Sequence, residues 1–299
     1  MAKKVMLTLA VVFLVLMVVS FIGGSVGAII RGGEPLGIFA VPSPHTQLPA
    51  EHPFPGLPIT NTMIASWLSM LVIFSLFFIS TRRMKLVPRG LQNLVEFIYE
   101  TVANFVEDAA GKEWGRRFLP VCFTIFLFVL ANAWINLIPG FETVKVNGEP
   151  LLRNANTDIN VPLMLAIVAF ISIEYWGFKA KGALYLETFF NFKPLGAGLK
   201  NLFTGKIKAG FSGVFNGIIL AFAGMLEILS HLIRMVSFTF RLFGNMTAGM
   251  ILVMIMLFLI PLVAPAAFYG LEAFFGFVQA MIFGGLTLTF ACAAVMAEE

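Results

Sequence analysis

One arginine, Arg241, lies in a stretch of this chain that is apolar enough to cross a membrane. No charged residue occurs from Leu242 to Leu271, and the ionisable residues shortly before Arg241 are Glu227, His231 and Arg234. A charged side chain at the centre of a bilayer costs about 2.5–3.5 kcal/mol on insertion scales, so its presence indicates a function. Because arginine keeps its proton in proteins, Arg241 is expected to act as a fixed positive charge and not as a proton carrier.

The polar residues of this stretch fall along one helical face. Glu227, Arg234 and Arg241 are spaced seven residues apart, which drifts by only about 20° per step around an ideal helix. The other residues of the polar stripes are Ser230, His231 and Asn245 here, and Glu272 and Gln279, again seven apart, in the last apolar stretch. Polar faces inside a membrane line water-filled paths, so this pattern predicts an ion pathway. In the alternative interpretation, Glu227 only neutralises itself by pairing with His231 or Arg234.

The cysteines and histidines do not indicate metal or disulfide chemistry. Cys122 and Cys292 lie in apolar stretches outside any CxxC motif, and are expected to be small buried hydrophobic residues. His45 and His52 lie in a Pro-rich stretch and are expected to be solvated loop residues. We therefore predict no metal site and no cofactor.

The composition excludes a soluble globular protein. The chain is 59% hydrophobic and 12% charged, and its basic residues form short groups between apolar stretches, which argues against nucleic acid as a partner. Stretches that reach the ~20 residues of a membrane-spanning helix occupy residues 5–30, 60–81, 118–141, 159–178, 209–260 and 266–297. The predicted fold class is an all-α integral membrane protein in a lipid bilayer, with five core transmembrane helices and a sixth if the N-terminal stretch is an anchor.

The lysines and arginines predict the orientation of the chain. Fifteen of them flank one set of helix ends, whereas only three, Arg31, Lys145 and Arg153, flank the other. Loops rich in Lys and Arg stay on the cytoplasmic side of a membrane. The N-terminus, residues 82–117, residues 179–208 and the C-terminal Glu298 and Glu299 are therefore predicted to be cytoplasmic or on the equivalent side.

Three regions are predicted along the chain. Residues 1–30 form a hydrophobic segment that is equally consistent with a signal peptide and with an extra anchor helix. Residues 31–59 form a Pro-rich outer segment that is expected to lack regular structure. Residues 60–299 form the membrane domain, in which an amphipathic stretch over residues 88–113 is expected to lie as a helix at the cytoplasmic interface.

The last two apolar stretches are too long to stand upright in a bilayer. No proline occurs between Pro194 and Pro261. A helix over residues 213–260 would be about 72 Å long at ~1.5 Å per residue, against a hydrocarbon core of about 30 Å. An unbroken helix must tilt strongly and would form a slanted hairpin with the last helix; the alternative is a break at Gly244 and Gly249. Small residues that permit close helix contact recur in the last stretch at Gly276, Ala280 and Gly284.

The run Arg241-Leu-Phe-Gly-Asn-Met-Thr-Ala-Gly249 resembles the signature of subunit a, the membrane stator of F-type ATP synthases. The resemblance extends upstream to Glu227, His231 and Arg234 and downstream to Gln279. It also includes residues 132–139 and 156–160, which are similar to the end of the family's third helix and the outer loop that follows. Residues 60–297 are covered in all.

This resemblance implies partners and a location. The chain would be a non-catalytic subunit, without ATP-hydrolysis chemistry of its own, in a bacterial inner membrane or an organellar inner membrane. Its tilted hairpin would face a rotating ring of c subunits, and it would be held by the b subunits of a peripheral stalk. Ions would cross by one aqueous half-channel, the ring, and a second half-channel.

The resemblance also implies a role for each polar residue. Arg241 would keep each passing ring carboxylate ionised, with Asn245 and Gln279 beside it. The residues toward the cytoplasmic half-channel would be Glu227, Ser230 and His231, with Arg234 also an ion-translocation residue, and Glu272 would lie toward the outer half-channel. Many family members carry a titratable residue where this chain has Met250, so the outer half-channel is expected to depend on Glu272 and water.

Two alternatives belong to other functional classes. The first is a stand-alone secondary transporter or ion channel, although the internal repeats common in transporters are not visible in this sequence. The second is a membrane metalloenzyme that uses His231 and Glu227, although the sequence lacks an HExxH motif. Co-purification with a c-ring and a peripheral stalk would separate a stator from both.

Overall fold

The computed structural model describes residues 2–39, 41, 49–138, 141, 144–189, 193–204 and 207–296. The predictions for His45, Glu298 and Glu299 concern residues outside this description. The helices of the described residues, in chain order, are α1 (Ala2–Gly23), α2 (Ser25–Arg31), α3 (Asn61–Thr81), α4 (Leu91–Ile135), α5 (Asn160–Lys181), α6 (Tyr185–Phe189), α7 (Lys193–Phe203), α8 (Ile207–Leu259) and α9 (Ala264–Met296).

Six of these helices, α1, α3, α4, α5, α8 and α9, are long and apolar enough to cross a membrane. The predicted all-α integral membrane fold is therefore confirmed. A short antiparallel ladder pairs β1 (Lys145–Val146) with β2 (Glu149–Pro150), and single 3₁₀ turns occur at Gly37–Phe39, Ala155–Thr157 and Gly182–Leu184. The turn at Gly37–Phe39 is regular structure in the Pro-rich segment, where we expected none.

Helix α4 is divided by one residue. Gly111 has φ 74° and ψ 165°, a conformation that glycine adopts without steric cost, so two helical arms meet there. The first arm matches the amphipathic stretch that we predicted over residues 88–113. The arms approach closely: a Cβ on Gly115 would be 3.0 Å from Glu107 Cα, and Arg116 pairs with Glu107 at 3.5 Å.

The last two helices are long. Helix α8 has 53 residues and runs without interruption through Gly244 and Gly249, so the alternative of a break at these glycines is wrong. At ~1.5 Å per residue it is about 80 Å long. Prolines at 261 and 265 mark its junction with the 33-residue α9, because proline lacks the N–H that would continue a helical ladder.

The chain folds as two compact units, each assembled from separate stretches of sequence. Unit 1 comprises Met1–Val95, Phe126–Val161 and Arg241–Ile282, and unit 2 comprises Glu96–Ile125, Pro162–Phe240 and Phe283–Glu299. Each is described by itself below.

Hydrogen bonds between membrane helices tie unit 1 together. The Ser69 hydroxyl donates to Asn132 Oδ1 at 2.8 Å, and Trp134 Nε1–H donates to the Ala273 carbonyl at 3.1 Å. In a bilayer these polar groups have no water to bind, so pairing them inside the protein avoids a cost of several kcal/mol per group.

The outer loop of unit 1 is held by buried polar residues. Thr62 at the start of α3 donates to Asp158 Oδ2 at 2.9 Å, while Asp158 Oδ1 accepts the Asn160 N–H at 3.1 Å and so caps the start of α5. Arg153 donates to Thr157 Oγ1 at 3.2 Å and to the Pro49 carbonyl at 3.0 Å. The loop is therefore fixed to the ends of two membrane helices.

Aromatic side chains fill much of unit 2. Phe118 is buried between Trp114 and Trp176, with ring centroids 5.7 Å and 4.6 Å away. Phe238 packs against Phe283 at 5.1 Å and against Phe290 on α9. Edge and tilted contacts of this kind add to the burial of apolar area.

Candidate functional site

Arg241 and Asn245 lie on an exposed face of α8 in unit 1. They are four residues apart, which places them on successive turns of one face, and both are exposed. Their neighbours Leu242 and Met246 are 0% and 2% exposed. The helix therefore buries one side in the unit and presents a guanidinium and an amide on the other.

Asn245 also borders a cavity in unit 1 of about 310 Å³. The other polar side chains that line it are Glu272 and Gln279 of α9, both buried. The remaining lining residues are apolar or glycine. A cavity of this size with a few polar groups has room for several water molecules, so the structure brings together three of the polar residues that the sequence singled out.

Gly249, one turn after Asn245, faces Glu272. A Cβ on Gly249 would lie 3.6 Å from Glu272 Cγ and 3.7 Å from Glu272 Oε1. Gly249 lines the cavity, and the adjacent Met250 is buried. Gly249 thus lies beside Glu272, and its missing side chain leaves space next to the carboxylate.

In unit 2, His231 lies between two carboxylates. Its Nδ1 is 2.7 Å from Glu174 Oε1 on α5, and its Nε2 is 3.2 Å from Glu227 Oε1, one turn earlier on α8. The side chains of His231 and Glu174 are 11% and 18% exposed, and that of Glu227 is 40% exposed. The imidazole thus has a carboxylate oxygen at hydrogen-bond distance from each of its ring nitrogens.

Arg234 extends this cluster. Its Nη2 is 3.7 Å from Glu227 Oε1 and donates to Ser230 Oγ at 3.3 Å. Its guanidinium also lies 4.5 Å from the centre of the Phe290 ring, a cation–π distance. The pairs that the alternative interpretation expected for Glu227, with His231 and with Arg234, are both formed.

Two members of the unit 2 cluster were missed from the sequence, Glu174 and Tyr185. The Tyr185 hydroxyl is hydrogen-bonded to Glu174, and burial, followed by the negative charge of Glu174, raises the pKa of Tyr185 above its ordinary value. Gly177 makes room for the ring, because a Cβ there would lie 2.5 Å from Tyr185 Cζ. Glu174 had a signal in the sequence: it is the single charged residue of the apolar stretch 159–178.

A second cavity, of about 140 Å³, lies beside this cluster in unit 2. Its polar lining residues are Lys181, Tyr185, Glu227, His231 and Arg234. Among the described residues, no group of three or more His, Cys, Asp or Glu side chains is arranged to hold a metal ion. What the cluster can do chemically is hold and exchange protons.

Residues 63–291 match the family model described as ATP synthase A chain. The chain belongs to this family. ATP synthase subunit a of Gloeobacter violaceus is 31% identical over 235 residues, covering 79% of this chain and 83% of that protein. Subunit a of Campylobacter jejuni strain 81-176 is 34% identical, covering 74% of this chain and 83% of that protein. Subunit a of Helicobacter pylori strain P12 is 31% identical, covering 80% of this chain and 92% of that protein.

Membership of the ATP synthase A chain family confirms the resemblance that the motif at Arg241 indicated. As a member, the protein is a proton-translocating, multi-pass subunit of the bacterial inner membrane that works with the other subunits of an ATP synthase. The predicted class and location are therefore confirmed. The roles of the individual residues are argued next.

Proposed function

We propose that this chain provides two aqueous half-channels and that Arg241 faces a ring of c subunits between them. The observation that carries the proposal is the exposed position of Arg241 and Asn245 on a face of α8 whose opposite side is buried. Charged side chains in membrane-spanning segments mark ion pathways. A partner that presents a carboxylate to this face would bring an opposite charge to the guanidinium of Arg241.

The chemistry of Arg241 in this role is electrostatic. In a low-dielectric environment, a positive charge nearby favours the ionised form of a carboxylate, so Arg241 would keep each passing ring carboxylate charged. Because a guanidinium does not give up its proton, it offers no acceptor to a proton that arrives from either side. Protons would then cross the membrane by moving with the ring as it turns, and not by a direct path past Arg241.

The outer half-channel would use the cavity of unit 1. Glu272 is buried in its wall, and Gln279 and Asn245 are the other polar groups there. A single carboxylate beside water is able to exchange protons with it, whereas Met250 is not. The absence of a side chain at Gly249 leaves Glu272 room to change its hydrogen-bond partners.

The cytoplasmic half-channel would use the cluster of unit 2. Glu227, Ser230, His231 and Arg234 lie together beside a cavity whose rim includes Lys181. The orientation follows from the Lys- and Arg-rich loops, which include residues 179–208. The b subunits of the peripheral stalk would hold the chain against the turning ring.

The experiment is ATP-driven proton pumping in inverted membrane vesicles that contain the whole complex. Arg241→Ala is expected to abolish pumping while the complex still assembles, because the ring carboxylates lose their counter-charge. Arg83→Ala, which removes an exposed arginine of the predicted cytoplasmic loop, serves as the matched control and should pump normally. Normal pumping by the assembled Arg241→Ala complex would refute the proposal.

A further inference from the structure

The carboxylate of Glu174 is closer to His231 than the carboxylate of Glu227 is. It lies 2.7 Å from His231 Nδ1, against 3.2 Å for Glu227 Oε1 and His231 Nε2. The two glutamates come from different helices, α5 and α8, and 57 residues separate Glu174 from His231 in the chain. Packing of two membrane helices therefore creates the arrangement.

The two contacts of the imidazole set a condition on the number of protons that this trio needs. A neutral imidazole has one N–H donor and one bare nitrogen acceptor, whereas an ionised carboxylate can only accept. A neutral ring and two ionised carboxylates together have one proton to donate between them. Hydrogen bonds at both ring nitrogens therefore need one additional proton. That proton would be either on the ring, as imidazolium, or on one of the two glutamates, and the trio would carry one negative charge in each case.

The charged groups around the trio balance this charge. Arg234 on α8 lies 3.7 Å from Glu227 and supplies one positive charge. Tyr185 on α6 is hydrogen-bonded to Glu174, and Lys181 lines the neighbouring cavity. Helix α9 contributes Phe290, Ala293 and Ala294 to that cavity. The trio and Arg234 together are neutral, which keeps the cost of burying the extra proton low.

We propose that Glu174 is a proton carrier of the cytoplasmic half-channel, linked through His231 to Glu227 in a three-group relay. This inference rests on the proposed function, which supplies the half-channel. In one transfer the O–H bond of protonated Glu174 breaks as an Nδ1–H bond forms, and the Nε2–H bond breaks as an O–H bond forms on Glu227. One proton moves from one carboxylate to the other, and the charge of the trio is unchanged.

Two aromatic rings support this transfer by holding the imidazole. The centres of the Phe170 and Phe189 rings lie 6.1 Å and 5.2 Å from that of His231, both at an interplanar angle of 82°. The imidazole therefore packs against aromatic rings while its two nitrogens face the two carboxylates. Water in the 140 Å³ cavity beside Glu227 and Lys181 would exchange protons with the cytoplasm.

The test measures proton flux per assembled complex, both ATP-driven and passive through the membrane part after the catalytic part is stripped. Glu174→Gln keeps the size of the side chain and its ability to form hydrogen bonds, but glutamine does not bind and release a proton. We expect about tenfold slower flux, less than the ~10²–10⁴-fold typical of a lost acid–base group, because cavity water would carry part of the current. The pH profile of passive flux should change shape as well.

Three further variants make the result decisive. Glu174→Asp keeps an ionisable group and should retain more flux than Glu174→Gln. Glu187→Gln makes the same chemical change at the carboxylate that pairs with Lys193, and should leave flux unchanged. Glu174→Gln combined with His231→Gln should be no slower than the slower single variant, because the groups act in series.

The outcomes separate the relay from the proposed function. Wild-type flux and pH profile in the assembled Glu174→Gln complex would overturn the relay, as would additive losses in the double variant or equal losses in Glu174→Asp and Glu174→Gln. A role of Glu174 in structure alone would lower the amount of complex and leave the flux per complex unchanged, which would also overturn it. The variant Arg241→Ala, measured in the same vesicles, tests the proposed function independently of the relay. If this variant still pumps protons, the half-channel proposal itself is refuted.

Discussion

Gly276 of α9 lies so close to Ala133 of α4 that a Cβ on the glycine would be 2.7 Å from the alanine Cβ. The backbone of α9 approaches α4 closely here, and Trp134 Nε1–H reaches the Ala273 carbonyl, three residues before Gly276, at 3.1 Å. Small residues allow this approach in membrane proteins, where packing rather than the hydrophobic effect holds helices together. The small-residue face predicted from the sequence is confirmed at Gly276.

The first prediction tests this contact. Gly276→Ala should destabilise the protein by about 1–3 kcal/mol, the usual cost of overpacking, and Ala133→Gly in the same chain should restore much of the loss by removing the opposing methyl group. Thermal unfolding in detergent measures both. Gly285→Ala is the control on the same helix, because a Cβ there would be 4.0 Å from its nearest neighbour, Phe105 Cζ. Equal destabilisation by the two alanine variants would contradict the explanation.

The second prediction concerns the type of charge at position 241. Arg241→Lys should lose most ATP-driven pumping although the formal charge is kept. Lysine gives up its proton when it is desolvated and lacks the planar fork that binds a carboxylate with two hydrogen bonds. Pumping in inverted vesicles checks this, with Arg83→Lys as the control. Wild-type pumping by Arg241→Lys would show that any positive charge is sufficient there.

The third prediction concerns Glu272 in the wall of the unit 1 cavity. Glu272→Gln should slow pumping by about tenfold or more, because a positioned acid–base group is lost, whereas Glu272→Asp should retain part of the rate. Both are measured as pumping per assembled complex. If Glu272→Gln pumps at nearly the normal rate, water alone carries protons through this cavity and Glu272 only polarises it.

The fourth prediction concerns pH and Glu51, in the outer segment of unit 1. Burial, and then the negative charge of Glu149, raise the pKa of Glu51 above its ordinary value of 4.5, although the Asn61 amide donates to it at 3.1 Å. The folded state therefore binds this proton more tightly than the unfolded state does. The contribution of protonated Glu51 to the free energy of unfolding is fully present below the ordinary pKa. It is lost as the pH rises through the raised pKa of the folded state.

Glu51→Gln should accordingly raise the melting temperature at neutral pH and leave it unchanged at a pH below 4.5, because glutamine accepts the Asn61 hydrogen bond without a charge. Thermal unfolding at the two pH values measures the difference. The exposed Glu34 of the same segment provides the control variant, Glu34→Gln. An equal gain at both pH values would show that the charge of Glu51 is not the cause.

The fifth prediction concerns topology. Single cysteines in place of Pro55 and Gly148 should react with an impermeant thiol reagent from outside the cell, and a cysteine in place of Gly90 should react only in inverted vesicles. The asymmetry of Lys and Arg is the reason. Both Cys122 and Cys292 are free thiols and are first replaced by serine. Labelling of Gly90→Cys from outside would invert the orientation and exchange the two half-channels.

Much of this protein was predictable because the signals are local. Length and hydropathy identified the six apolar helices, since each must satisfy its own backbone hydrogen bonds within the bilayer. The stripe of Glu227, Arg234 and Arg241 follows from helix geometry alone, and the motif that begins at Arg241 identified the family. Even the close approach at Gly276 was visible as a spacing of small residues.

The unpredicted features depend on which helix faces meet. Glu174 is a single acidic residue in its stretch, and nothing in the spacing of α5 indicates that its face meets His231, 57 residues later. The sequence also does not show that Gly249 of α8 lies beside Glu272, with a Cβ there 3.6 Å from Glu272 Cγ, because the rotation of α8 is decided by packing. Composition and period determine which segments become helices, but the pairing of their side chains depends on rotation and distance between helices, which only tertiary packing decides.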